Sequence, residues 1–176
     1  MAVLGVALGR PTAAQVSLDW PASSPITFGS PGDPPRIALG GGAFDVLPNY
    51  KHPGSGVTGM ALSEFRFGDA AWIFAPFAGI MGTAKGATYL YVGFGFDVNL
   101  PYNFVITPSF AGGYYQEGHG INLGYYWEFR SGAEIDYRFW GDRRFGVGFY
   151  HMSNAGLGKA NNPGVELVTA VLTAPF

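Results

Sequence analysis

The chain has 176 residues and a formal net charge of −2, with 48% hydrophobic and only 12% charged residues. Ordinary soluble domains carry roughly 25% charged residues, so this composition is unusual for them. The absence of cysteine excludes disulfides and thiolate metal sites, and no clustered basic face indicates a nucleic-acid partner. No apolar run reaches the roughly 18 residues that a transmembrane helix needs. High contents of glycine (28 residues) and aromatic residues (16%) are instead typical of a small transmembrane β-barrel.

The first 35 residues differ in composition from the rest of the chain. Ala2–Leu8 is apolar and Thr12–Gln15 resembles a small-residue cleavage site, although Arg10 follows the apolar stretch instead of preceding it. We therefore expect an atypical or truncated signal peptide over residues 1–15. Residues 16–35 are expected to form an irregular leader, because Pro21–Pro35 is rich in Pro, Ser and Gly. The barrel itself is expected over residues 36–176.

Eight extended segments follow, separated by turn signals. They are Arg36–Leu47, Gly56–Phe67, Trp72–Thr83, Thr88–Asn99, Asn103–Tyr115, Tyr125–Trp140, Arg144–Asn154 and Gly164–Phe176. The first three alternate poorly, so their registers stay undetermined. The fourth alternates apolar residues with glycines, which suits a barrel with little interior volume.

The sixth segment alternates most clearly. One face is almost wholly apolar, with Tyr125, Trp127, Phe129, Ala133, Ile135, Tyr137 and Phe139. The other face carries mixed charges, namely Glu128, Arg130, Glu134, Asp136 and Arg138. The charged face could meet solvent while the apolar face meets a core, or it could line a salt-bridged lumen while the apolar face meets lipid. The second interpretation predicts charges that are structural and not a transport path.

The connections between these segments largely alternate between long and short. Residues 48–55, 116–124 and 155–163 form long connections, whereas residues 68–71, 100–102 and 141–143 form short ones; the short segment 84–87 is the exception. Outer-membrane barrels divide extracellular loops from periplasmic turns in this way. The sequence therefore predicts an all-β fold, an eight-stranded antiparallel transmembrane β-barrel of the outer membrane with both termini on the periplasmic side.

Three polar residues fall on faces that are otherwise apolar, near the outer ends of the last two strands. His151 and Ser153 share a strand face with Phe145, Val147 and Phe149, at a Cα separation of roughly 6.5–7 Å. On the next strand, Glu166 is an even number of residues from Val168, Ala170 and Leu172, so it shares their face. A base activates serine by taking its proton, and a carboxylate orients the imidazole. The three residues are thus candidates for an esterase site on the membrane-facing wall.

The segment His151-Met152-Ser153-Asn154-Ala155-Gly156, followed by Asn162, Pro163, Gly164 and Glu166, resembles the C-terminal signature of the PagL family. That family consists of lipid A 3-O-deacylases, which are eight-stranded outer-membrane barrels of Gram-negative bacteria. The resemblance implies Ser153 as nucleophile, His151 as general base and Glu166 as the residue that orients the imidazole. It further implies an oxyanion hole formed by Asn154 and the backbone N–H of Gly156.

The resemblance also implies the substrate and the surroundings. Lipid A within lipopolysaccharide would be the substrate, outer-membrane lipids would surround the barrel, and no cofactor or metal is expected. The oligomeric state stays open, with a homodimer among the alternatives.

Less specific interpretations of the same residues remain. His151 could belong to an interfacial girdle, Ser153 and Asn154 could start a loop, and Glu166 could be a rim charge. His52 and His119 lie in expected loops without a second ligand at metal spacing and receive no role. The alternatives for the whole chain are a non-enzymatic outer-membrane barrel with a structural or surface-interaction role, and a soluble barrel that binds a small ligand.

Overall fold

The computed structural model describes residues 4–6, 16–18, 26–29, 32–68, 72–158 and 162–176. Eight long antiparallel strands dominate it. They are β1 (Arg36–Phe44), β2 (Thr58–Arg66), β3 (Phe74–Thr83), β4 (Thr88–Phe96), β5 (Phe104–Gln116), β6 (Trp127–Arg138), β7 (Arg144–Ser153) and β8 (Val165–Pro175). Each corresponds to one of the eight extended segments expected from the sequence. Among the described residues, no helix is long and apolar enough to cross a membrane.

The sheet closes on itself, because β8 pairs with β1 from Leu167 opposite Phe44 to Pro175 opposite Arg36. Every other strand pairs with its neighbours in the chain, so no barrel strand is left with an unpaired edge. The expected eight-stranded barrel is confirmed. We call the end that carries the loops 45–57, 84–87, 117–126 and 154–164 the outer end, and the opposite end the inner end.

Short strands extend the sheet beyond the barrel at the inner end. Val98–Asn99 pairs with β5 and also with Ile26–Phe28, which in turn pairs with Val16–Leu18, itself paired with Leu4–Val6. Two of these strands lie within residues 16–35, where the sequence predicts an irregular leader. The expected cleavage site at Thr12–Gln15 lies outside the described residues.

The outward face of the barrel is apolar and the inward face is buried. On β7, Phe145, Val147 and Phe149 are 52–54% exposed, whereas the residues between them are buried. On β6, four of the five charged side chains are buried: Glu128, Arg130, Glu134 and Asp136 are 0–3% exposed, whereas the Arg138 side chain at the inner end is 26% exposed. The charged face of the sixth segment is therefore the lumen, and the apolar face is the belt that a membrane covers.

The interior has two parts. Towards the inner end, Arg66 Nη2 pairs with Glu64 and Glu134, at 2.7 and 2.5 Å, and Arg130 Nη2 pairs with Glu64 at 2.8 Å. Towards the outer end the interior is largely apolar, since Ile121 and Leu123 of the loop 117–126 are buried in one cluster with Phe44, Met60, Met81, Tyr89, Met152 and Leu167. The loop thus turns into the barrel, and Ile121 and Leu123 join the strand side chains that pack the outer part of the interior.

Glu64 is a buried carboxylate that pairs with two arginines, Arg66 and Arg130, so its charge should matter for stability. We expect Glu64→Gln to lower the free energy of unfolding by about 3 kcal/mol, since removing one member of a buried ion pair leaves charge uncompensated. The exposed Asp142 of an inner-end turn provides the control: Asp142→Asn should change stability by less than about 0.5 kcal/mol. Urea unfolding of barrels folded into lipid vesicles measures both, and equal stabilities would contradict the prediction.

Candidate active site

The outer end of β7 presents His151 and Ser153 on the membrane-facing wall. The His151 side chain is 48% exposed, while Tyr150 and Met152 on either side of it point inward and are buried. Ser153 is partly exposed. Because strand residues two apart point to the same face, the imidazole and the hydroxyl lie on one surface. That surface is otherwise the apolar belt.

Glu166 on β8 lies directly opposite His151 in the register of the two strands. The His151 Nδ1–H donates a hydrogen bond to Glu166 Oε1, with an Nδ1–Oε1 distance of 3.2 Å. A carboxylate accepts hydrogen bonds, so this contact favours the tautomer with its proton on Nδ1. The lone pair of Nε2 is then available to accept a proton from a hydroxyl.

Gly164 lies close to the imidazole of His151. A Cβ atom built on Gly164 would lie 2.7 Å from His151 Cε1 and 3.4 Å from His151 Nε2. The last pair between β7 and β8 is Met152 with Val165, so one further step of the register brings Gly164 opposite Ser153. The Cε1 atom of the imidazole therefore lies beside Gly164, the position opposite Ser153. Because glycine has no side chain, Gly164 leaves space beside the imidazole.

Ser131 on β6 is a second serine next to His151, and sequence reasoning missed it. It lies directly across from His151 in the register of β6 and β7, and its side chain is exposed on the same outward face. Neither Ser131 nor Ser153 forms a side-chain hydrogen bond to His151 among the residues that the structure describes. A serine inside a strand carries no signal of its own, so only the strand pairing could reveal Ser131. The contact of the imidazole with Gly164, which lies opposite Ser153, is an argument for Ser153.

Asn154 and Gly156, the expected oxyanion donors, contact each other. The Gly156 N–H donates to Asn154 Oδ1 at 2.8 Å, and Asn154 Nδ2 donates to the Leu123 carbonyl at 2.7 Å. The Asn154 N–H donates to Asn162 Oδ1 at 3.1 Å. Asn154 is fully buried. Its side chain thus shapes the turn after Ser153 and joins it to the loop 117–126, so both expected donors have protein partners in this structure.

Because Gly164 lies close to the imidazole, we expect a substitution at Gly164 to lower the activity. In Gly164→Ala, the new methyl group would collide with His151 Cε1, and we expect kcat for ester hydrolysis to fall about tenfold or more, as small displacements of reacting groups do. The matched control is Gly86→Ala, because Gly86 also has a positive φ (78° against 63°) but no atom within 4 Å of its Cβ position. Initial rates of both purified variants test this, and an equal loss would point to backbone strain instead.

His52 and His119 lie in the loops 45–57 and 117–126 and do not take part in this arrangement. A serine on the same strand face as an imidazole whose Nδ1 bonds to a carboxylate provides the residue types that nucleophilic ester hydrolysis uses. Among the described residues, no group of three or more His, Cys, Asp or Glu could hold a metal ion.

Comparisons with known proteins agree with the architecture. The family model for lipid A 3-O-deacylase (PagL) matches residues 15–175. A search of curated proteins finds no match. Among solved structures, the chain is similar to one described as the crystal structure of the outer membrane enzyme PagL, with a TM-score of 0.60 and 20% identity, covering 80% of this chain and 99% of that one. That likeness shows a common fold. Because the family model spans nearly the whole barrel, this chain belongs to the PagL family of lipid A 3-O-deacylases.

Proposed function

We propose that this outer-membrane barrel is a serine esterase that removes the 3-O-linked acyl chain of lipid A, with Ser153, His151 and Glu166 as its catalytic residues. The observation that carries the proposal is the hydrogen bond from His151 Nδ1 to Glu166 Oε1, on a wall that meets lipid. Family membership supports lipid A as the substrate. His151 lies two residues before Ser153 on β7 and opposite Glu166 on β8. The proposed base is therefore close to both the proposed nucleophile and the carboxylate that orients it.

In the first half of the reaction, Ser153 Oγ attacks the ester carbonyl while His151 Nε2 takes its proton. Glu166 stabilises the imidazolium that forms, since it already accepts the Nδ1 hydrogen bond. When the tetrahedral intermediate breaks down, the imidazolium returns the proton to the sugar oxygen. The deacylated sugar leaves as an alcohol, and the acyl chain stays bound to Ser153 as an ester.

The second half repeats these steps with water. His151 Nε2 takes a proton from a water molecule that attacks the acyl-serine ester, and then returns the proton to Ser153 Oγ. The products are a free hydroxy fatty acid and lipid A with one fewer chain. Both are amphiphiles, so both can leave sideways into the membrane.

The oxyanion of each tetrahedral intermediate needs hydrogen-bond donors, and removing one donor from such a hole typically costs about 2.7–4 kcal/mol. The Gly156 N–H is the better candidate, because the buried Asn154 amide would first have to release the Leu123 carbonyl to which its Nδ2 donates. Because the Gly156 N–H donates to Asn154 Oδ1 in this structure, the developing oxyanion would replace Asn154 Oδ1 as its acceptor. The positive φ of Gly156 (78°) favours glycine at this turn.

The position of the site agrees with a substrate that stays in the membrane. Phe149 lies two residues below His151 on the same face and Val168 lies opposite it; both are exposed. An acyl chain can lie along such a surface while its ester reaches Ser153, so no deep pocket is needed. We place the site at the level of the outer leaflet, where lipid A resides.

The test is mass spectrometry of lipid A from cells that express the wild-type protein, Ser153→Ala or Ser131→Ala. We expect the wild type and Ser131→Ala to remove one hydroxyacyl chain and Ser153→Ala to remove none. Because both variants lose an outward hydroxyl on neighbouring strands, Ser131→Ala controls for folding and insertion. Unchanged lipid A in all three strains, with folded barrels in the outer membrane, would support the non-enzymatic alternative.

A further inference from the structure

A second feature of the outer end lies one and two strands away from Ser153. An open cavity of about 330 Å³ lies where β5 and β6 meet the loop 117–126. Tyrosine rings and planar polar side chains line it together, among them Tyr114, Tyr125, Tyr126, Gln116, Glu117 and Asn122. We call it the tyrosine cavity.

The rings of the tyrosine cavity form a cluster. The centroids of Tyr125 and Tyr126 lie 4.3 Å apart, and those of Tyr114 and Tyr126 lie 5.9 Å apart. The hydroxyls of Tyr125 and Tyr126 lie within hydrogen-bond distance at 3.2 Å. Tyr114 and Tyr126 are about half exposed, at 51% and 48%. The cluster therefore offers ring faces and hydroxyls to a ligand.

The polar side chains distinguish this cavity from an ordinary interfacial girdle. Girdle tyrosines and tryptophans face the membrane boundary, and they need no amide or carboxylate partners. Here Gln116, Glu117 and Asn122 supply both donors and acceptors next to the rings. Apolar ring faces combined with a few planar polar groups suit a sugar, which has an apolar C–H face and a rim of hydroxyls.

The location also fits the sugar part of an ester substrate. Phe129 on β6 pairs with Ser153, and Tyr126 lies three residues further towards the outer end. Strand geometry then puts Tyr126 about 11 Å from Ser153 between Cα atoms. In an ester of a membrane glycolipid, the acyl chain runs down into the membrane from the carbonyl, and the sugar lies above it. A sugar attached to an ester at Ser153 would thus reach the level of the cavity.

The cavity is connected to the turn after Ser153. Leu123 and Gly124 belong to the cavity wall, and Asn154 Nδ2 donates to the Leu123 carbonyl at 2.7 Å. Tyr115 fixes the same loop from the other side, because its hydroxyl donates to the Ile121 carbonyl at 3.0 Å. The wall of the cavity and the turn that carries Gly156 are therefore one hydrogen-bonded unit.

We propose that the tyrosine cavity binds the amino-sugar disaccharide of the lipid A substrate, with the sugar faces on Tyr114, Tyr125 and Tyr126. The inference rests on the proposed function for its substrate, and it assigns the sugar and the acyl chain to different surfaces. The acyl chain lies on the membrane-facing wall below Ser153, and the sugar lies above, at the ends of β5 and β6.

Binding is tested first, without catalysis. The probe is the glucosamine disaccharide free of acyl chains, added to the full-length barrel in detergent micelles and followed by ligand-observed NMR. We expect saturable binding to the wild type, and binding about tenfold weaker, or 1.4 kcal/mol, in Tyr125→Ser/Tyr126→Ser. The control is Tyr50→Ser, since Tyr50 is 78% exposed on another outer loop. Absence of saturable binding to the wild type, or equal binding by all three proteins, would overturn the proposal.

Kinetics then distinguish this inference from the proposed function. We expect Tyr125→Ser/Tyr126→Ser to raise KM for lipid A about tenfold while changing KM for a sugar-free ester of the same hydroxy acid less than twofold. Equal effects on both substrates would mean that the rings only support the loop, which would overturn the proposal. If the wild type hydrolysed neither substrate yet bound the disaccharide, the esterase would fail and the sugar site would stand.

Discussion

The His151→Ala variant is expected to hydrolyse lipid A about 10⁵-fold more slowly than the wild type, since losing the base of a serine triad costs as much as losing the nucleophile. In the structure, His151 bonds to Glu166 through Nδ1 and shares its outward strand face with Ser153, two residues further along β7. Release of hydroxy fatty acid from lipid A in detergent micelles measures the loss.

A structural effect must be separated from loss of the base. His151 is half exposed on the outer wall, so its removal should not disturb the packed interior. We expect His151→Ala to fold and to migrate on gels like the wild type, and the Ser131→Ala barrel should retain activity within about threefold. A His151→Ala barrel with more than a tenth of wild-type activity would show that His151 is a girdle residue.

The second large effect is expected for Glu166→Gln, with a loss of about 10³–10⁴-fold in kcat. A neutral amide can turn its NH₂ group towards Nδ1 and so favour the tautomer with its proton on Nε2, which cannot act as the base. The loss should be smaller than for His151→Ala, because His151 is still present. Glu166 keeps a quarter of its side-chain surface exposed, so the lower end of the range is expected. Single-turnover assays measure the chemical step directly.

Glu117→Gln serves as the matched control for Glu166→Gln in these assays. Glu117 is also a carboxylate at the outer end, but it lies in the loop 117–126 and away from His151. We expect its substitution to leave single-turnover rates on a sugar-free ester within about threefold of the wild type. If Glu166→Gln lost less than tenfold on the same ester, Glu166 would be a rim charge and the triad would be wrong.

Much of the fold can be predicted from the sequence because period-two alternation is strong where one strand face meets lipid and the other meets charge. The sixth segment shows this best: four of its five charged residues are the ones that the structure buries in the lumen. The segment predicted as Thr88–Asn99 ends earlier, at Phe96. Val98–Asn99 leaves the barrel and pairs with Ile26–Phe28, a contact between distant residues that no local pattern contains.

The sequence predicts which strand face carries each candidate site residue. It does not predict which of these side chains contact one another. Parity alone puts His151, Ser153 and Glu166 on the outward wall, and the strand register then brings His151 and Glu166 together. Ser131 could not be found, because its neighbour His151 is twenty positions away and depends on the pairing of β6 with β7. Nor could the sequence show that Asn154 turns inward to Leu123, since that bond depends on how the loop 117–126 enters the barrel.

In the proposed mechanism, Ser153 is the nucleophile of this barrel and His151 activates it. The most direct measurement is reaction of the purified, folded protein with a fluorophosphonate, followed by mass spectrometry of the intact chain and of the peptide that contains Ser153. We expect one adduct per chain, located on Ser153 and absent from His151→Ala, with loss of lipid A hydrolysis in proportion to labelling. Labelling at Ser131 instead, or full activity in a chain already modified at Ser153, would contradict it.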